Sequence, residues 1–332
     1  MRYNSFPRPA LLVLETRQII VSSMLTRETF RGPWAGLPVA WSPLDEFDEQ
    51  AYRHDVARCC DFDVPGVYTG GTTGEFYAME FGEFQAVAKA TVEECHARDT
   101  PAMIGCSSTY TLGAQRRAAY AAEIGADAIQ LALPYWMEID SGCITPFFRQ
   151  VSTSAGDLPL SIYETTRAKV TLSLEQHIEL SRELPNYMMV KANGGTIGTS
   201  LEGCKSLSEF ANVFVGESLW ETLGPHGALG GCSSMVYWNP EVCLNLWRAV
   251  EAQNWDAVAQ QTRPVSKLFN FLHAEFGTRG YTDTAFDRLG GLASGFLKTS
   301  MRSRGPYISV TVQDVEKLRK WYSDEFPEML VG

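Results

Sequence analysis

No run of Lys or Arg in this chain is long enough to form a basic patch, and acidic residues outnumber basic ones by 39 to 28, a formal net charge of −11. Such a chain repels phosphate backbones, so nucleic acid is not an expected partner. No CxxC pair occurs among the eight cysteines, and no cysteine–histidine cluster shows ligand spacing. Neither a zinc site nor a disulfide framework is signalled. Scattered through apolar segments, the cysteines read as buried thiols of a cytoplasmic protein. Long apolar runs are missing too. The stretch 10–14 is far too short for a signal-peptide core or a membrane span, and Arg17 follows it closely. There is no strict repeat and no low-complexity tract. What is present is the balance of an ordinary soluble globule, 45% hydrophobic and 20% charged over 332 residues.

Residues 1–24 read as a flexible arm, with the organised chain starting near Leu25. From Gly36 onward two textures alternate. Short apolar runs end in Gly, Pro or small polar residues, and longer stretches with helical spacing follow them. The runs are 37–41, 66–68, 102–104, 128–133, 158–163, 187–191, 213–215 and 228–232. Between them, Phe47, Ala51, Tyr52, Val56 and Cys59 fall on one helical face, as do Phe84, Val87, Ala88, Thr91, Val92 and Cys95. Ser173 with Gln176 three residues on forms a capping box. Most strand starts are roughly 25–35 residues apart, the length of a βαβ unit. Continuous apolar strands are those buried on both faces. Eight such units predict a closed (β/α)₈ barrel, an α/β fold, over residues 25–250. After Pro240 the texture is purely helical, over 241–253, 255–276, 284–296 and 312–326, which predicts a C-terminal helical extension over 251–332.

In a barrel of this kind the active site lies at the C-terminal ends of the strands. Three unusual segments fall there: Gly70-Gly71-Thr72-Thr73-Gly74-Glu75, Tyr163-Glu164-Thr165-Thr166-Arg167, and Lys191-Ala192-Asn193-Gly194-Gly195. Lys191 ends the apolar run Met188-Met189-Val190. Burial there disfavours the ammonium, lowering its pKa and freeing an amine that condenses with a ketone to an iminium. The competing possibility is a lysine that snorkels to solvent. Tyr163 lies 28 residues earlier, about one βα unit, so neighbouring strand ends bring the two side by side. A phenol there can shuttle protons. The Gly-Gly-Thr-Thr-Gly turn lacks the Gly-Lys-Ser/Thr ending of a nucleotide-binding loop. Its backbone N–H groups and two hydroxyls suit a carboxylate.

The ordered set Gly71-Thr72-Thr73-Gly74-Glu75, Tyr163, and Lys191 with Gly195 resembles the dihydrodipicolinate synthase / N-acetylneuraminate lyase family. The stretch Gly227-Ala228-Leu229-Gly230-Gly231-Cys232-Ser233 is similar to that family's glycine-rich eighth strand. The resemblance covers Gly36 to the C-terminal helices. It implies a lysine-Schiff-base lyase acting on pyruvate or a pyruvate-containing acid, with Lys191 as nucleophile, Tyr163 as proton shuttle, and Thr72 and Thr73 at the 2-oxo acid carboxylate. Thr73 joins the implied catalytic set. Gly71 and Ser233 join the substrate-binding set. The resemblance implies no metal, no organic cofactor and a homo-oligomer, commonly a tetramer; the short apolar stretch gives no reason to expect a membrane partner.

The departures from that family matter as much. Its usual strand-five ending is Tyr-Asn-x-Pro; here Glu164 replaces the amide, an added acid or base, and Arg167 lies one residue closer to the tyrosine. Where the synthases carry two tyrosines after a proline, this chain has Pro134-Tyr135-Trp136, and an indole cannot relay a proton. This argues against dihydrodipicolinate synthesis itself. Pro-x-Trp looks like the hydratase-aldolase branch, with Trp136 placed to stack on an aromatic aldehyde. Glu217 after strand seven keeps a hydroxylated substrate tail in play. The expectation is an aldolase that joins or separates pyruvate and an aldehyde. The alternatives are a 2-keto-3-deoxy sugar acid dehydratase using the same imine, and a non-catalytic 2-oxo acid binder.

Overall fold

The computed structural model describes residues 25–331. The 1–24 arm and the apolar stretch 10–14 lie outside the described residues. Eight parallel strands close into a barrel in chain order. They are β1 Gly32–Gly36, β2 Val67–Thr69, β3 Ala102–Gly105, β4 Ala128–Leu131, β5 Leu160–Glu164, β6 Tyr187–Ala192, β7 Asn212–Phe214 and β8 Ala228–Ser233. Helices α1 Glu49–Cys60, α2 Phe81–His96, α3 Thr111–Glu123, α4 Ser141–Ser154, α5 Leu174–Glu183, α6 Leu201–Ser208 and the short α7 Trp220–Leu223 alternate with them. Four more complete the described chain after a one-turn α8, Met235–Trp238: α9 Pro240–Glu251, α10 Trp255–Phe276, α11 Asp283–Ser294 and α12 Val312–Glu325. Among the described residues no helix is long and apolar enough to cross a membrane.

Local sequence explains the helix starts. Asp48 caps α1 by accepting from the Ala51 N–H, and Ser173 and Gln176 form the reciprocal capping box that opens α5. The core has two parts. Phe30, Trp34, Tyr68, Met103, Met189 and Phe214 fill the inside of the barrel, while a larger cluster lies between strands and helices.

Seven strands lie within two residues of their expected positions; the first does not. The apolar run 37–41 was the expected strand, but β1 is Gly32–Gly36 and the run forms the loop that follows. The run is apolar because it is buried. Leu37, Val39, Ala40 and Trp41 pack in the outer cluster, and Val39 gives its carbonyl to Arg288 of α11. Burial without alternation says nothing about strand or loop.

Candidate active site

The pairing of β5 with β6 sets Tyr163 directly beside Lys191. Because side chains alternate along a strand, both point into the barrel mouth. Lys191 Nζ stands 4.1 Å from the centroid of the Tyr163 ring and donates to the Tyr68 hydroxyl at 3.1 Å. Tyr68, near the end of β2, is a partner the sequence reading missed. Its ring needs bare neighbours: a Cβ on Gly36 would meet it at 2.2 Å and one on Gly71 at 2.9 Å. Gly71 therefore serves the site by leaving room for Tyr68. The Tyr163 hydroxyl is held from two sides, by Thr72 Oγ1 at 3.1 Å and by Asn193 Nδ2, which donates at 3.2 Å.

Burial works against the Lys191 charge, but the Tyr163 and Tyr68 phenols and the Cys232 thiol around it carry its pKa above the ordinary lysine value. The sequence reading expected a lowered lysine, because it did not foresee three acidic groups packed against the amine. Burial pushes Tyr68 and Cys232 up as well. The hydrogen bond that Lys191 donates to the Tyr68 hydroxyl also favours the charged amine.

Lys191 lies in a chamber of about 470 Å³ lined also by Thr72, Thr73, Tyr163, Asn193 and Glu217. A second chamber of about 450 Å³ adjoins it, sharing Thr72, Tyr163 and Asp283. Its walls are aromatic: Phe76, Tyr77, Tyr135, Tyr281 and Tyr307. Arg167 lines this second chamber and pairs with Asp283 at 2.9 Å. Trp136 lines neither chamber. It is 73% exposed, with Lys169 above its ring.

Two other candidates face away from the mouth for one reason, the phase of the pleat. Glu164 follows the inward Tyr163 and so points outward. There it accepts the Leu172 N–H at 2.8 Å and stands 3.1 Å from His177 Nε2, within ion-pair distance but off the line of a hydrogen bond. Ser233 follows Cys232, which lines the Lys191 chamber, and its hydroxyl donates to Glu217 behind the wall. Glu217 also accepts the Met235 N–H at 3.0 Å, so its carboxylate braces the turn after β8 while lining the chamber. Among the described residues no group of three or more His, Cys, Asp and Glu is arranged to hold a metal ion.

The turn after β2 is fixed from the C-terminal extension. Glu75, at φ 50°, is fully buried and paired with the equally buried Arg288 at 2.7 Å. Trp41 Nε1 and the Arg304 N–H also donate to its carboxylate. Breaking a buried pair from one side strands the other charge. Arg288→Met is expected to cost ~3–5 kcal/mol in a urea unfolding curve. Adding Glu75→Gln should recover a large part of that loss. A single variant as stable as the parent would refute this role.

The family model described as the dihydrodipicolinate synthetase family matches residues 30–323. A probable 5-dehydro-4-deoxyglucarate dehydratase of Methylobacterium radiotolerans is 28% identical over 222 residues, 65% of this chain and 71% of that protein. The 4-hydroxy-tetrahydrodipicolinate synthase of Brucella abortus is 25% identical over 282 residues, 83% of this chain and 93% of that one. Among solved structures, YagE, a prophage protein of the dihydrodipicolinic acid synthase family from E. coli K12 in complex with pyruvate, superposes with a TM-score of 0.79. It is 17% identical, and the match covers 89% of this chain and 98% of that one. At that identity the likeness concerns the fold.

Proposed function

The chain belongs to the dihydrodipicolinate synthetase family and is a lyase of it, and on that premise we propose that it forms a Schiff base between Lys191 and pyruvate and makes or breaks a C–C bond to an aldehyde. One observation carries this reading: an amine at the barrel mouth between two phenols, 3.1 Å from one hydroxyl and 4.1 Å from the other ring.

The neutral amine of Lys191 attacks the carbonyl carbon of the 2-oxo acid. Tyr163 gives a proton to the departing hydroxyl, water leaves, and an iminium remains. In the cleavage direction the Tyr163 phenolate takes the proton of the C4 hydroxyl, the C3–C4 bond breaks, and its electron pair flows to the iminium nitrogen as an enamine. The aldehyde departs. Tyr163 returns the proton to C3, and water then hydrolyses the iminium, giving a proton back to Tyr163, releasing pyruvate and restoring the Lys191 amine. Thr72 and Asn193 hold the phenol, and Thr72 and Thr73 receive the carboxylate. The chemistry requires no metal or organic cofactor.

The aldehyde occupies the second chamber, which Tyr163 shares. Its aromatic walls favour a flat apolar aldehyde, and Phe76, Tyr77, Tyr135 and Tyr307 take the part that the sequence reading gave to Trp136. Trp136 and Met137, both 73% exposed, instead fit a contact between copies in a homo-oligomer, a tetramer being the form we propose. Eight free thiols suit the cytoplasm.

A second reading has one observation in its favour. The Lys191 chamber is also lined by Glu217 and Ser218, partners for a hydroxylated tail. A 2-keto-3-deoxy sugar acid dehydratase would use the same imine.

Borohydride with pyruvate should add one pyruvyl mass to the peptide containing Lys191. Label elsewhere only, or none with any 2-oxo acid, would refute the imine. Product analysis then separates the two readings. An aldolase yields pyruvate plus an aldehyde, and a dehydratase leaves the carbon chain whole.

A further inference from the structure

A helix outside the barrel reaches the proposed carboxylate turn. Thr284, Asp287 and Arg288 of α11 share one face at i, i+3 and i+4, and all three engage the turn after β2. Thr284 Oγ1 donates to the Thr73 carbonyl at 3.0 Å, and Arg288 holds Glu75. Asp287 Oδ2 accepts the Thr73 hydroxyl at 2.7 Å, and its Oδ1 accepts the Ser234 hydroxyl, just past β8, at 2.8 Å. Asp287 is 5% exposed and lines the Lys191 chamber.

A hydroxyl has one proton to donate. While Asp287 is ionised, the Thr73 hydroxyl proton points at it, and that hydroxyl offers an arriving carboxylate only lone pairs. Two carboxylates would then crowd one hydroxyl. A protonated Asp287 reverses the bond: its O–H donates to Thr73 Oγ1, and the Thr73 proton turns to the substrate.

We propose that Asp287 takes up a proton from solvent when a 2-oxo acid binds, freeing the Thr73 hydroxyl to donate to the substrate carboxylate, so that binding is proton-coupled. The proposal rests on the reading of the Lys191 chamber as a 2-oxo acid site.

The surroundings support it. Burial pushes the Asp287 carboxyl up to about 6, against the pull of the Thr73 and Ser234 hydroxyls, and Asp283 adds to the rise. Beside Asp287 stand Asp283 and Arg288 on α11 and Tyr237 on α8. Glu75 on the β2 turn is paired with Arg288. Around the same chamber are Lys191, Tyr163, Glu217 and His273 of α10. A bound anion raises the Asp287 pKa further. Well below pH 6 the group is already protonated and binding takes up nothing. Above its free pKa and below its bound one, binding takes up a proton, and affinity weakens toward ~10-fold per pH unit.

Pyruvate titrated calorimetrically into the full chain at pH 7, in buffers of different ionisation enthalpy, reads the uptake directly. The expected result approaches one proton per site. Asp287→Asn mimics the protonated acid, with an amide donor for Thr73 and an oxygen for Ser234. It should bind pyruvate without uptake, with a dissociation constant flat from pH 6 to 8, whereas His273→Gln should keep the parent's uptake. No uptake by the parent, or undiminished uptake in Asp287→Asn, overturns the proposal. Should Asp287→Asn not fold, Lys191→Met replaces it: uptake that persists without the amine supports Asp287, and pyruvate binding without uptake overturns it. Borohydride trapping on the same parent sample keeps the two readings apart, because absent trapping condemns the imine and not the proton.

Discussion

Lys191→Met is expected to lower kcat by at least ~10⁴-fold while leaving the fold intact, because it removes the nucleophile and keeps the volume of the chain. No neighbour can substitute for the amine. Tyr68, Tyr163 and Cys232 surround Nζ, and burial keeps Tyr68 and Cys232 in their neutral forms around pH 7. Met also relieves the barrel of a charge that burial disfavours, so thermal stability should be unchanged or higher. The measurement is turnover against the parent, with borohydride mass labelling on both. Residual activity within tenfold of the parent, with folding verified, would end the Schiff-base reading.

Tyr163→Phe is the second large effect, a fall of ~10²–10⁴ in kcat, the range of a positioned proton shuttle. The ring stays, and with it the stacking beside Lys191 and the wall between the two chambers. Only the hydroxyl that Thr72 and Asn193 hold is removed. KM for pyruvate should therefore move much less than kcat. Trapping at Lys191 should still occur, but slowly, since imine formation also needs proton transfer. Equal losses from Thr72→Val, which keeps the shape but removes the hydroxyl beside the phenol, would indicate that the pair acts as one unit. A Tyr163→Phe variant with parental kcat would place the proton relay elsewhere.

The sequence by itself determined the barrel and the pair at its centre. Apolar runs at βαβ spacing are a local property, and so is the place where each run stops. Two strand ends one unit apart must be neighbours in a parallel barrel, which is why Tyr163 and Lys191 were legible together. The capping box at Ser173 and the helix Trp255–Phe276 were legible for the same reason: their determinants lie within a few residues. Tertiary structure decided the rest. The phase of the pleat turned Glu164 and Ser233 away from the mouth, although each is adjacent in sequence to a residue that faces in. Barrel closure carried Tyr68 across to Lys191, 123 residues away, and no local pattern encodes that distance. Asp287 reaches Thr73 over 214 residues, from a helix whose own pattern announces only amphipathic burial. Trp136 occupies the motif position that suggested a substrate wall, yet its loop directs the ring outward, and Phe76 and Tyr77 from another turn supply the wall. Local sequence specifies which elements form and where they end. Which side chains meet in the chamber depends on register, pleat phase and the docking of α11, and those are properties of the folded molecule as a whole.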